Sequence, residues 1–136
     1  MQLTRLSDAA ALQLPDDLLW VDEHAWSPVV ASTSYLVTGA LLVQSALRQA
    51  GRPITLEGAP DMAWVRRNQV EQLRAWAAIP LGAATGRFGL SFADGRVFTV
   101  AFRHQDGAIE AEPVLGIPAR SGNDFYRLTL RFLEIV

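Results

Sequence analysis

Apolar and polar positions alternate regularly in the last third of the chain. Four segments share this period of two: Arg87–Phe92, Val97–Arg103, Ile109–Val114 and Phe125–Ile135. Alternation of this kind places one face of a strand against a core. Three turn-forming pairs separate them: Asp94-Gly95, Asp106-Gly107 and Ser121-Gly122. Because Asp-Gly supplies the positive φ angles that tight hairpin turns require, the pattern predicts an antiparallel sheet.

The middle of the chain fits two templates. Apolar residues in Leu36–Ala50 match both a helical and a strand period. Gly39 favours the strand, because glycine inside a helix costs about 1 kcal/mol relative to alanine. Gly51-Arg52-Pro53 resembles a hairpin turn into a second strand, Ile54–Leu56. Ahead of them, Trp26–Val30 contains a proline, which fits an edge strand or a loop.

One helix is predicted between these strands and the last third. Asn68 can cap its first turn, with Glu71 three residues later in a capping-box arrangement, and Pro80 prevents its continuation. The apolar side chains on one face are Val70, Leu73, Trp76 and Ala77. This face must pack on the sheet. The expected fold is mainly β, an antiparallel β-sandwich or split barrel with one flanking α-helix.

Met1–Ala11 shows no clear period and Leu14–Asp17 indicates a turn, so residues 1–17 are expected to form an N-terminal arm, followed by a single domain over residues 18–136. A chain of 136 residues is long enough for one domain with its own core. The net charge of −2 gives no basic excess for binding a nucleic-acid duplex. There is no cysteine, no signal-peptide pattern and no apolar run long enough to span a bilayer. We therefore expect a protein made in the cytoplasm without membrane association.

Candidate chemistry is sparse. His24 and His104 lie far apart in sequence, without partners at metal-ligand spacing. Gly82–Gly86 is rich in glycine but lacks the Lys-Ser or Lys-Thr of a phosphate loop, which favours a flexible connection. An enzyme using His104 and Asp106 would need a third polar partner that the sequence does not offer. We predict no catalytic, cofactor-binding or metal-binding residues, and no enzymatic activity.

Two pairs of residues are candidates for contacts with other molecules. Trp20 and Trp26 flank the proline-containing loop and are candidates for a subunit interface, with the core as the alternative. Glu110 and Glu112 share one face of a strand, where they could line a channel. In the alternative, Arg127 and Arg131 on the next strand neutralise them across the ladder.

The order of these segments resembles small tail proteins of long-tailed bacteriophages and phage-tail-like bacteriocins. The similarity runs from about Leu18 to Val136. It rests on the order and spacing of the following segments: Thr38–Gln44, Gly51–Gly58, a tryptophan and a helix, Leu90–Phe102, Ile109–Pro113 and Tyr126–Glu134. The family has no catalytic motif to match.

The resemblance implies a tail-tube fold, in which six copies form a ring whose strands close into a large barrel around a channel. It further implies a structural subunit of the virion tail, of the distal-tail type, made in the host bacterial cytoplasm. Its partners would be copies of itself and neighbouring tube and baseplate hub proteins, with DNA only as passing cargo. The alternative is a small β-barrel that binds a ligand among Phe88, Phe92, Phe102 and Phe132.

Overall fold

The computed structural model describes residues 1–135, and Val136 lies outside them. The predicted fold class is confirmed: the chain is mainly β, with antiparallel sheets and one flanking α-helix. In chain order the strands are β1 (Gln2–Arg5), β2 (Ala11–Gln13), β3 (Leu19–Trp20), β4 (Val29–Tyr35), β5 (Leu41–Leu47), β6 (Pro53–Glu57), β7 (Val65–Arg66), β8 (Phe88–Ser91), β9 (Val97–Phe102), β10 (Ile109–Pro113) and β11 (Phe125–Glu134). The helix α1 spans Arg67–Ala77.

The large sheet is organised around β11. Its strand order is β2-β1-β8-β9-β11-β6-β3, and β7 and β10 also pair with β11. Along one edge of β11, β10 pairs with its first half and β9 with its second half. The other edge pairs with β7 and then β6. The strands β4 and β5 pair only with each other in a separate two-stranded sheet.

Strands form in all four predicted last-third segments, and β10 and β11 show the predicted alternation, but β9 buries three consecutive residues, Val100–Phe102. One connection also differs from the prediction. Asp94-Gly95 forms the predicted hairpin turn between β8 and β9, with Gly95 at a φ of +94°. Asp106-Gly107 does not join a hairpin. A single 3-10 turn at His104–Asp106 instead carries the chain from β9 to β10 along the same edge of β11.

Residues 1–17 do not form a separate arm, which corrects the predicted domain boundary. β1 pairs with β8 and β2 pairs with β1, so both strands extend the large sheet. Met1, Leu3 and Leu14 are buried in the core. The apolar period is too short here to be recognised from sequence, because β1 contributes so few inward-facing side chains.

The helix packs its predicted face on the sheet. Val70, Leu73 and Trp76 are buried, and Leu73 is completely so. The predicted cap is wrong: the helix begins at Arg67, where the Gln69 side-chain oxygen accepts a hydrogen bond from the backbone N–H of Arg66 (3.0 Å). Gln69 thus takes the capping role that was expected of residues Asn68 and Glu71.

Aromatic rings form a continuous cluster within the largely aliphatic core. Phe88 packs on Phe102 with ring centroids 5.2 Å apart, and Phe102 on Phe132 at 4.9 Å. Trp76 of the helix packs on Phe88 at 5.6 Å. At the far end of the sheet, Trp20 on β3 stacks with Phe92, which follows β8, at 5.2 Å. Because this contact joins β3, at one end of the strand order, to a residue next to β8, the sheet must be strongly curved.

Candidate functional site: an exposed uncharged hairpin

A long β-hairpin formed by β4 and β5 is the most unusual surface of the molecule. Its strands pair from Val29 opposite Leu47 to Tyr35 opposite Leu41. Every residue from Ser27 to Gln49 is exposed, and no charged residue occurs between Ser27 and Leu47. The prediction that Gly51-Arg52-Pro53 turns β5 back onto β6 is wrong, because β5 pairs with β4 and residues 48–52 connect the hairpin to the sheet.

The two faces of the hairpin differ in polarity. Residues directly opposite in an antiparallel pair share a face. One face is predominantly apolar and carries Val29, Ala31, Thr33, Tyr35, Leu41, Val43, Ser45 and Leu47. The other carries Val30, Ser32, Ser34, Leu42, Gln44 and Ala46. Within residues 1–135 neither outer edge pairs with a further strand. Isolated two-stranded hairpins are at best marginally stable in water, so this surface suits a protein partner.

The tip of the hairpin is a tight apolar turn. The Leu36 backbone N–H donates to the Ala40 carbonyl (2.8 Å), and the Gly39 N–H donates to the Leu36 carbonyl (2.9 Å). Gly39 has a φ of +85°, a left-handed conformation that glycine adopts without steric cost. The turn leaves Val37 fully exposed and Tyr35 78% exposed.

The root of the hairpin is held by a polar network. The Asp22 carboxylate accepts hydrogen bonds from the backbone N–H of Thr55 (3.0 Å) and from its hydroxyl (2.9 Å). Arg103 donates to the same hydroxyl oxygen (2.9 Å) and pairs with Asp106 (3.1 Å). Thr55 is buried, so these bonds fix the segment that leads into the hairpin.

Arg52 completes the root by stacking on both candidate interface tryptophans. Its guanidinium lies 4.5 Å from the Trp20 ring centroid and 5.8 Å from that of Trp26, and it donates to the Glu23 carbonyl (2.8 Å). Trp20 is only 7% exposed, so little of its surface is left for another subunit. Trp26 is half-buried against Arg52 and Arg48. Of the two, Trp26 keeps the exposure that an interface role requires.

Replacing Trp26 by alanine is expected to leave the monomer folded and to weaken self-association. An aromatic anchor at an interface contributes about 2 kcal/mol or more when its partner covers it. Thermal unfolding and oligomer mass of Trp26→Ala would be measured together. Trp20→Ala is the comparison variant and should destabilise the monomer, because Trp20 packs in the core. Unfolding of the Trp26→Ala monomer would place that residue with the core instead.

An open apolar groove lies at the opposite end of the large sheet. It has a volume of about 450 Å³, and its apolar lining includes Trp64, Leu115, Ile117, Pro118 and Phe125. The indole N–H of Trp64 donates to the Pro60 carbonyl (3.1 Å), which satisfies the one polar atom of that ring. The Trp64 and Phe125 rings are 5.8 Å apart.

The loop beside the groove is folded by its own hydrogen bonds. The Asp124 carboxylate accepts from the backbone N–H groups of Arg120 (2.6 Å) and Ser121 (3.2 Å). These bonds stabilise the charged form and lower the pKa of Asp124. Leu115 and Ile117 nevertheless remain exposed, at 80% and 45%. The Asp124 carboxylate thus stabilises the conformation of this loop.

The two candidate channel glutamates are exposed, and each pairs with an arginine. Glu110 pairs with Arg131 at 3.0 Å, and Glu112 with Arg127 at 3.4 Å. These are the cross-strand pairs weighed as the alternative to a negative channel lining. Exposed pairs contribute only about 0–1 kcal/mol each, but they leave this face close to neutral.

The structure does not bring the candidate catalytic and metal-binding residues together in one site. His24 is 91% exposed and lies 3.7 Å from Glu23, and Asp106 pairs with Arg103. Among residues 1–135, no three histidine, aspartate or glutamate side chains are placed to hold a metal ion. Gly82–Gly86 forms a connection between α1 and β8, closed by a hydrogen bond from Gly82 N–H to the Thr85 carbonyl (3.0 Å). No helix in this part of the chain is long and apolar enough to cross a membrane.

The phenylalanines proposed to line a ligand site pack against other rings. Phe88 and Phe132 are fully buried, and Phe92 lies between Trp20 and Phe98. The exposed hairpin and the apolar groove therefore remain the candidate surfaces for binding a partner.

Comparison with known protein families, with curated proteins and with solved structures found no match to this chain.

Proposed function

We propose that this protein is a non-enzymatic structural subunit of a bacteriophage tail or phage-tail-like particle. It forms a ring at the junction of tube and baseplate, as a distal-tail-type protein does. The ring is a homohexamer in the virion tail, made in the host bacterial cytoplasm. The fold assigned by the resemblance, a tail-tube-like β domain, is compatible with the antiparallel sheet and single helix described above.

The exposed hairpin is the observation that supports this proposal. It is seven residue pairs long, uncharged and open at both edges. Such a hairpin is an aggregation hazard unless another chain covers it. A closed ring covers it in every subunit, because each copy pairs its free edges with a neighbour and no edge is left over.

The charge pattern is compatible with DNA as passing cargo. Glu110 and Glu112 are proposed to line the channel, each accompanied by its arginine. A wall without a basic excess does not hold phosphates, so DNA can move along it without binding. The neighbouring tube and baseplate hub proteins are the remaining proposed partners.

Native mass spectrometry and negative-stain electron microscopy of the full chain test the proposal. Alone or with its neighbouring tail proteins, the chain should form a ring of defined copy number with a central opening. A chain that remains monomeric both alone and with those neighbours would contradict the proposal.

A further inference from the structure

We infer that the tip of the hairpin docks in the apolar groove of a neighbouring copy of this chain. The tip is the turn Leu36–Ala40 with Tyr35, and the groove is the surface lined by Trp64, Leu115, Ile117 and Phe125. This inference rests on the proposed self-assembly and specifies which surfaces meet.

The two surfaces lie at opposite ends of β11. The groove surrounds Phe125, the first residue of that strand. The hairpin is connected to the large sheet at the other end of β11. There the Glu134 carbonyl accepts a hydrogen bond from the Gly51 N–H (3.0 Å), and the Glu134 N–H donates to the Arg52 carbonyl (2.9 Å). Ten residues of strand separate these ends by about 30 Å. Because the whole hairpin is exposed, it does not fold back onto its own groove.

A projection at one end and a groove at the other define a head-to-tail contact. Contacts of this heterologous type use two different patches, and they repeat until a ring closes or a filament grows. A two-fold dimer can satisfy both contacts only if its two copies lie antiparallel, with each tip in the other's groove. A ring satisfies them between copies related by rotation about one axis, which is the arrangement of the proposed assembly.

The chemistry of the two surfaces matches. The tip carries no charge, and Val37 and Tyr35 are its most exposed apolar side chains. The groove is walled mainly by aromatic and aliphatic side chains, and Arg120, Asn123 and Asp124 also line it. The Asp124 carboxylate is already hydrogen-bonded to the backbone of its own loop. Its volume of about 450 Å³ is in the range of pockets that take several apolar groups.

The size of the hairpin also calls for a second contact. Two strands of seven residues present roughly 200 Å² per face in projection. A stable interface buries about 800 Å² of accessible surface on each partner, so contacts beyond one narrow hairpin face strengthen the assembly. Seating the tip in the groove adds apolar area and fixes the direction in which the copies join.

Cross-linking tests the contact directly, because the natural chain contains no cysteine. Val37→Cys and Leu115→Cys chains would be mixed and treated with a short bismaleimide. The expected product is a mixed dimer, formed in large excess over products that combine Val37→Cys with Val97→Cys. Val97 is the control because it is an exposed valine on β9, outside both surfaces. Equal yields of the two products would overturn the inference.

A second pair of variants tests the direction of the contact. Val37→Asp and Leu115→Asp should each prevent growth beyond small species, while Val97→Asp assembles as the unmodified chain does. Mixing the first two should give one-to-one dimers, because one intact tip then meets one intact groove. If both variants still form complete assemblies, the inference is wrong although the proposed function stands. If the unmodified chain does not assemble at all, the proposed function itself fails.

Discussion

Leu73→Ala is expected to lower the free energy of unfolding by about 2–5 kcal/mol. Leu73 is completely buried in the middle of α1, between the buried side chains of Val70 and Trp76. Truncation removes apolar contacts and leaves a cavity that the surrounding sheet can fill only in part. A loss of this size is a large fraction of the stability of a typical domain.

Chemical denaturation of the isolated chain measures this loss. Gln72→Ala is the matched control, because Gln72 is the exposed preceding residue on the same helix. Its substitution should change stability by no more than about 0.5 kcal/mol. Unchanged stability of Leu73→Ala would mean that the helix is not an intramolecular clamp and that its apolar face serves another purpose.

Replacing Val43 and Leu47 by lysine is expected to abolish assembly and to leave the domain folded. Both residues lie on the apolar face of the hairpin, and both are more than half exposed. No part of the core depends on them, whereas an interface over this face would have to bury two unpaired charges. Losing even one anchor of about 2 kcal/mol weakens association roughly 30-fold.

Oligomer mass and thermal unfolding of the double variant distinguish assembly from folding. The control is Val97→Lys, which places the same charge on an exposed strand position of the large sheet. Rings that form normally from the Val43→Lys/Leu47→Lys chain would show that the hairpin does not carry the interface. Loss of the thermal transition would show that the hairpin stabilises the domain.

The fold class was predictable from sequence because most of the sheet has one buried face. In β11, Leu128, Leu130 and Phe132 are buried in strict alternation, and this period identifies a strand without further information. The helix was equally clear from its apolar face. Pairing was harder to predict, since periodicity identifies a strand but not its neighbour. Asp106-Gly107 therefore resembled a hairpin turn although it continues the chain along one edge of β11.

The hairpin was only partly visible in the sequence. Its strand Leu41–Leu47 fits the predicted strand, but alternation alone cannot show that both faces are exposed. The available signal was the absence of charge from Ser27 to Leu47, a segment that serine, threonine and glutamine residues interrupt too often for a membrane span. The groove gave no local signal at all. Trp64 and Leu115 are far apart in sequence and meet only because β7 and β10 both pair with β11.

The central position of β11 has a consequence for how the protein is made. The strands β6, β7, β9 and β10 all precede β11 in the chain, and each needs it to complete a ladder. During translation these four strands remain without that partner until the last strand has been made. Folding dominated by such distant pairings is slow. Completion of the large sheet therefore depends on the end of the chain, and a chain cut before β11 would leave β6, β7, β9 and β10 without the strand that joins them.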